Sequence, residues 1–319
     1  MALSQGLTGR GRMAAGSSRP DPFRTGYAVP VAGGSLHVAR AGAAPDEAEA
    51  VVVAVHGITA SHVAWRAAVR ALLEHADVCV LAPDLRGRGR SAHLPPHARF
   101  DVHVDDVVSV LDRLGVERAL LAGHSMGAYV AARVAADHPR RASGVVLVDG
   151  GLPLAPLGDG EDPDEVLEKT LGPALARLRM TFASAERYVD FWREHPAFSG
   201  AWSEDLEAYV RADLTGEPGA LRSLTSEAAA RVDGRALLLD APTRTATERV
   251  RAPIGLLRAP RGLLDDDRVM IPDSALDAFL AKRPEVDAEL VADVNHYTLL
   301  MGAGAPRTAR AITRALARA

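Results

Sequence analysis

The sequence predicts a doubly wound α/β protein: a mostly parallel sheet flanked by helices, with a helical cap inserted into it. Three observations predict it. Five runs are short, continuously apolar and rich in β-branched residues, as strands covered on both faces must be: 51–55, 78–82, 119–122, 145–148 and 254–257. Between them lie segments whose apolar residues recur at helical spacing, roughly 62–75, 101–114, 126–138 and 273–283. Strand followed by helix, repeated, builds right-handed units and a parallel sheet. The alternation breaks from about 151 to 249, where the chain turns charged and aromatic.

Taken in order, residues 1–24 combine Gly, Ser and Arg with scattered apolar side chains, so they read as a disordered arm. They lack the apolar core of a secretory signal, and Met13 is an alternative start. Residues 27–31 and 35–40 flank Gly33-Gly34, the pattern of a β-hairpin. The expected core is 25–150 with 250–319. The insert, 151–249, carries Tyr188, Phe191, Trp192, Trp202 and Tyr209 on mostly helical patterns, with one strand-like run at Ala236-Leu237-Leu238-Leu239. A cap of this composition walls in an apolar ligand. Arg86, Arg88 and Arg90 between glycines, and Arg310, Arg314 and Arg318 at four-residue spacing, read as solvated surface.

Composition narrows the function. A formal charge of -4 over 319 residues gives no basic footprint for nucleic acid, so a small molecule is the expected partner. The single cysteine, Cys79, excludes an intramolecular disulfide. It lies in the apolar run Asp77-Val78-Cys79-Val80-Leu81 and reads as a buried strand residue, since nothing beside it would lower its pKa as a catalytic thiol requires. No unbroken apolar stretch reaches the roughly 18 residues of a membrane span, so a cytoplasmic protein is expected. No metal-spacing cluster appears, and no cofactor is expected. Oligomeric state leaves no mark.

The chemistry begins at Gly123-His124-Ser125-Met126-Gly127, which matches G-x-S-x-G directly after one apolar run and directly before a helical one. A strand that turns abruptly into a helix thrusts the Ser125 hydroxyl clear of the main chain, and glycines on either side leave room where side chains would collide. A serine hydroxyl is a weak nucleophile and needs an adjacent base. His296, in Val294-Asn295-His296-Tyr297-Thr298, follows the apolar run 288–292 and precedes the last helix, where the base is expected. The strand 51–55 runs into His56-Gly57-Ile58. The amides of Ile58 and Met126 are the natural pair of oxyanion donors, while His56 fixes the loop. Asp84-Leu85-Arg86-Gly87-Arg88-Gly89-Arg90-Ser91 lacks the lysine and spacing of a phosphate loop and reads as a structural turn.

The succession of His56-Gly57, the turn 84–91, the elbow 123–127 and Asn295-His296 resembles the α/β-hydrolase superfamily, in its capped esterase, lactonase and haloperoxidase-like branch, from about residue 27 to 315. The resemblance leaves the third member of the triad open. In most of that superfamily the acid follows the strand after the cap; the corresponding place holds Gly262, with Asp265, Asp266 and Asp267 a little later. In a subset resembling haloalkane dehalogenases and some lactone hydrolases, the acid ends the strand after the nucleophile helix, which is Asp149 here. Asp149 is the favoured candidate.

The expected reaction is acyl transfer to water from an ester, lactone or thioester-like bond, with Ser125, His296 and Asp149 as the triad. The resemblance implies that serine rather than aspartate at the elbow disfavours dehalogenase and epoxide hydrolase chemistry. Carbon–carbon bond hydrolysis or perhydrolase activity would use the same triad. A ligand sensor on the same fold is the rival from another class.

Overall fold

The computed structural model describes residues 20–319. The arm expected over 1–24 and the alternative start Met13 lie outside the described residues as far as Arg19. Residues 20–24 are held against the body, which corrects the expectation for them. Asp21 meets Arg66 at 3.4 Å, the Pro20 carbonyl accepts from Arg70 at 3.4 Å, and the Phe23 ring stands edge-on to His62.

A hairpin of β1 (Thr25–Val31) and β2 (Gly34–Gly42) turns at Gly33, whose φ of 87° suits glycine. Strands and helices then alternate: β3 (Ala50–Val55), α1 (Arg66–Leu73), β4 (Val78–Pro83), α2 (Asp101–Arg113), β5 (Ala119–His124), α3 (Met126–Asp137) and β6 (Ala142–Val148). The insert holds α4 (Pro163–Leu178), α5 (Ala185–Arg193), α6 (Glu204–Ala212), the two-residue strands β7 (Leu214–Thr215) and β8 (Arg222–Ser223), α7 (Glu227–Leu239), α8 (Ala241–Arg244) and α9 (Ala246–Arg249). The chain closes with β9 (Ile254–Arg258), α10 (Asp273–Lys282), β10 (Asp287–Leu290), α11 (Thr298–Met301) and α12 (Ala305–Leu316).

The eight-stranded sheet runs in the order β1-β2-β4-β3-β5-β6-β9-β10. Strand β2 is antiparallel to β1 and β4, and the remaining pairs are parallel. Period-2 alternation divides the core into two layers. Val53 and Val55 of β3 join the cluster formed with α2 and α3, whereas Val52 and Ala54 join the one formed with α1 and α12. The connection after β3 runs to β4 on one side, and the next crosses back from β4 to β5 on the other side of β3. Such a reversal opens a crevice at the carboxyl ends of the strands, where ligands bind in open α/β sheets. Cys79 is buried in β4, and burial pushes its thiol up to about 11. Among the described residues no helix is long and apolar enough to cross a membrane.

Three further readings of the sequence need correction. The apolar run 236–239 is the last turn of α7, not a strand. A four-residue apolar run has no periodicity of its own, and the helix begun at Glu227 carries through it. Arg314 and Arg318 are not simply solvated, because they pair with Asp287 and Glu289 of β10. The third correction matters most. Arg90 is exposed, but Arg86 and Arg88 are buried.

Arg86 grips Asp106 of α2 through two bonds, at 2.8 and 2.9 Å. Arg88 is 0% exposed; it donates to the carbonyl of Ile58 at 2.8 Å and pairs with Asp233 of α7. His103 of α2 completes the cluster at 3.0 Å from Asp233. The alternating glycines have their own cause. A Cβ on Gly87 would stand 2.4 Å from that of Ala229 in α7, and one on Gly89 would stand 2.4 Å from the Asp84 carboxylate.

Removing one member of a buried ion pair strands its partner. Arg88→Ala is therefore expected to cost about 3–5 kcal/mol in urea unfolding. Acid should act through the same group. Burial pushes the Asp233 carboxyl up, but His103 and Arg88 together bring it down to about 2. An unfolded aspartate titrates near 3.9, so this contribution is complete above about pH 4 and is lost as pH falls toward 2. The urea midpoint should drop across that window, and by less in Asp233→Asn.

Candidate active site

Ser125 sits between the end of β5 and the start of α3 with φ 54° and ψ -121°, a left-handed conformation that a side chain rarely adopts. Its amide donates to the Val148 carbonyl at 2.9 Å, which ties the bend to the neighbouring strand. The glycines of the motif are dictated by approach distance. A Cβ on Gly123 would lie 2.1 Å from the Gly127 carbonyl oxygen, and one on Gly127 would lie 2.2 Å from that of Val55. The first turn of α3 thus rests directly on the end of β3.

Asp149 follows β6 and is likewise left-handed, with φ 48°. Its carboxylate is fully buried, and both oxygens are used. Oδ1 accepts from the Ala259 amide at 3.1 Å, and Oδ2 accepts from His296 Nδ1 at 2.7 Å. This contact fixes the imidazole with Nε2 as its remaining nitrogen. The backbone of His296 is held at both ends. Its amide donates to the Arg261 carbonyl at 3.1 Å, and its carbonyl accepts from His124 Nε2 at 2.9 Å. The His124 and His296 rings are 4.6 Å apart, and burial followed by the neighbouring His296 holds His124 well below its ordinary pKa, hence uncharged.

Among the described residues neither the Ser125 hydroxyl nor His296 Nε2 has a hydrogen-bond partner. Such contacts are commonly long before substrate arrives and tighten in the complex. The other candidate acids lie elsewhere. Asp265 accepts from Asn295 Nδ2 at 3.1 Å and pairs with Arg261 at 3.0 Å, Asp266 pairs with Arg268, and Asp267 is fully exposed. None of the three contacts the His296 ring.

Ile58 and Met126 border the same open cavity as Ser125, and among the described residues their amides donate to no acceptor. The Met126 amide is also one of the unpaired donors at the start of α3. His56 locks the loop between them: Nδ1 donates to the Gly57 carbonyl at 2.8 Å, and Nε2 accepts from the Leu85 amide at 2.9 Å. Burial brings its pKa down to about 4, so it stays neutral. Sequence reasoning missed two supporting residues, Arg88 on the Ile58 carbonyl and His124 on the His296 carbonyl. His124 occupies a variable place in the motif, and nothing in the sequence marks it.

The cavity measures about 990 Å³ and is lined mainly by apolar surface, from α4, α7 and the segment 263–270 among others, with Ser125, Asp149 and Tyr297 also on its wall. That volume suits a ligand of drug size. Residues 50–302 match the alpha/beta hydrolase fold family. The chain belongs to that family.

Within it, Epoxide hydrolase B of Mycobacterium tuberculosis is 38% identical over 134 residues, covering 39% of this chain and 37% of that protein. Lipase LipV of the same organism is 31% identical over 159 residues, covering 50% of this chain and 56% of that protein. The match thus spans about a third to a half of these relatives. Among solved structures, E-2-(acetamidomethylene)succinate hydrolase superposes with a TM-score of 0.73 at 21% identity, covering 92% of this chain and 99% of that one. The thioesterase domain from the curacin biosynthetic pathway gives 0.70 at 20%, covering 91% and 99%. These superpositions are likenesses of fold.

The approach distances at the elbow generate a stability prediction for this alpha/beta hydrolase-fold chain. Gly123→Ala or Gly127→Ala, each driving a methyl group into backbone, should cost at least about 3 kcal/mol in urea unfolding. Gly160→Ala is the control: its φ is 82° and nothing lies within 4 Å of an added Cβ. That substitution should cost only about 1 kcal/mol, from backbone strain alone.

Proposed function

We propose that the protein is a serine hydrolase that cleaves an ester, thioester or lactone of a small, partly apolar molecule through an acyl-enzyme. The observation that carries this reading is the buried 2.7 Å contact between Asp149 and His296, formed beside a serine held on a strained bend. A carboxylate on Nδ1 leaves Nε2 basic and able to take a proton.

In the first half-reaction the Ser125 oxygen attacks the carbonyl carbon while His296 Nε2 takes its proton. The negative charge that develops on the carbonyl oxygen is received by the amides of Ile58 and Met126. Asp149 stabilises the imidazolium and does not itself become protonated. Collapse of the tetrahedral intermediate expels the alcohol or thiol, which leaves with the proton from Nε2. Water then gives a proton to Nε2, adds to the acyl carbon and releases the acid, and the proton returns to Ser125.

The relatives' names include both an epoxide hydrolase and a lipase. A hydroxyl at the elbow favours the acyl chemistry, because it yields an ester intermediate that water can cleave at the carbonyl.

A fluorophosphonate probe should label Ser125 and no other residue, as read by mass spectrometry of the modified peptide. Labelling elsewhere, or none, rejects the reading. Hydrolysis of p-nitrophenyl butyrate should disappear in Ser125→Ala and fall by about 10⁴-fold in Asp149→Asn with unchanged circular dichroism. Asp265→Asn and Asp267→Asn should stay close to the parent rate; an inactive Asp265→Asn beside an active Asp149→Asn would move the acid there. Ligand binding without turnover, retained in Ser125→Ala, would mark a sensor instead.

A further inference from the structure

Ten residues of helix α4 border the cavity, Val166, Thr170, Ala174 and Arg177 among them. Arg177 differs from the rest. Its side chain is only 3% exposed. Nη1 donates to the Tyr188 hydroxyl and, at 2.7 Å, to Asp213 Oδ2, whereas Nη2 is buried with no hydrogen-bond partner among the described residues. A guanidinium does not deprotonate in a protein, so its charge and its unused N–H groups persist. Buried donors left unmade are costly and call for an explanation.

The neighbouring carboxylate does not supply the missing acceptor. Asp213 is already filled by the Tyr188 hydroxyl at 2.5 Å, the Ser223 hydroxyl at 2.8 Å and the Thr225 hydroxyl at 3.3 Å, besides Nη1. Trp192 lies under the guanidinium, 4.9 Å from ring centre to Cζ, but a ring face attracts the charge without offering a lone pair in the plane of the N–H groups. Four of the five acidic side chains that border the cavity are occupied too, Asp149 by His296, and the fifth, Glu165, is exposed to solvent. Asp266 holds Arg268, Asp162 caps α4 by accepting from the Asp164 amide, and Glu161 accepts from the Gly158 amide.

Arg177 borders the cavity in which the proposed chemistry takes place. Trp192 stands 6.3 Å from the ring of Tyr297, the residue after His296, and Arg177, Trp192 and Tyr297 all border the cavity that contains Ser125.

We propose that Arg177 anchors a substrate carboxylate, so that the favoured substrate is an ester, thioester or lactone carrying a free carboxylate separated from the scissile bond by a short apolar segment. This rests on the hydrolase reading above and deepens it. The planar carboxylate matches the planar donor edge, and the apolar walls of α4 and α7 take the segment between the two ends.

The test compares substrates of equal chain length. Wild-type protein should favour the mono-p-nitrophenyl ester of adipic acid over p-nitrophenyl hexanoate by at least tenfold in kcat/KM. Arg177→Met should bring that ratio near one, and Arg177→Lys should leave it intermediate. Because Arg177→Met strands Asp213, the double variant Arg177→Met/Asp213→Asn is measured beside it, with fluorophosphonate labelling as the check of folding. A preference that survives in both variants overturns the proposal.

Binding is read separately by calorimetry on Ser125→Ala. Monomethyl adipate should bind at least tenfold more tightly than dimethyl adipate, and the difference should vanish when Arg177→Met is added; equal binding of the two overturns the proposal. The two readings fail independently. Hydrolysis of both esters without preference leaves the hydrolase and removes the anchor, whereas preferential binding without any turnover leaves the anchor and removes the hydrolase.

Discussion

The close approach of α3 to the ends of β3 and β5 is the constraint on which the rest of the site depends. Gly127 brings the first turn of the helix against the Val55 carbonyl, and Gly123 brings the strand against Gly127. With these distances set, Ser125 has one place to go, the left-handed bend at the mouth of the crevice. The strain there, on the order of 1–3 kcal/mol for a non-glycine residue, is offset by the packing of α3 on the sheet and by the bond from the Ser125 amide to Val148. Asp149 repeats the arrangement one strand over, again left-handed and again tied by its amide, here to Leu257. Two adjacent strand ends therefore present a hydroxyl and a carboxylate, and the loop bearing His296 reaches the carboxylate.

Around this centre lies a second set of buried polar groups. Arg88, His56 and His124 touch main-chain atoms of the loops that carry Ile58 and His296. Each acts on backbone position rather than on a substrate. Low dielectric strengthens these bonds and makes each of them costly to lose, so the loops are held by interactions that water cannot easily replace.

Much of the architecture was legible in the sequence because its signals are local. The apolar runs of β3 to β6 and β9 announce buried parallel strands, and strand, G-x-S-x-G and helix stand contiguous in the chain. What was not legible depends on distant partners. Whether Arg88 is solvated or buried is decided by Asp233, 145 residues away, and no pattern around either residue announces the other. The acid was ambiguous for a related reason: Asp149, Asp265, Asp266 and Asp267 all follow strand ends, and only the fold shows which carboxylate faces the imidazole and which are consumed by Arg261 and Arg268. The run 236–239 was misread because four apolar residues suit a strand and a helix alike; its Leu237 and Leu238 border the cavity.

The ion pair between Arg88 and Asp233 ties one wall of the cavity to the loop that carries Ile58. Helix α7 cannot swing outward without breaking a fully enclosed salt link and pulling on the loop that positions Ile58. Helix α4 is fastened in turn, to α7 through Glu168 with Arg231 and Asp164 with Arg235, and to Asp213 through Arg177. The two walls are thereby linked to each other and to the loop that carries Ile58, so a shift of either helix would be felt where the main chain faces Ser125.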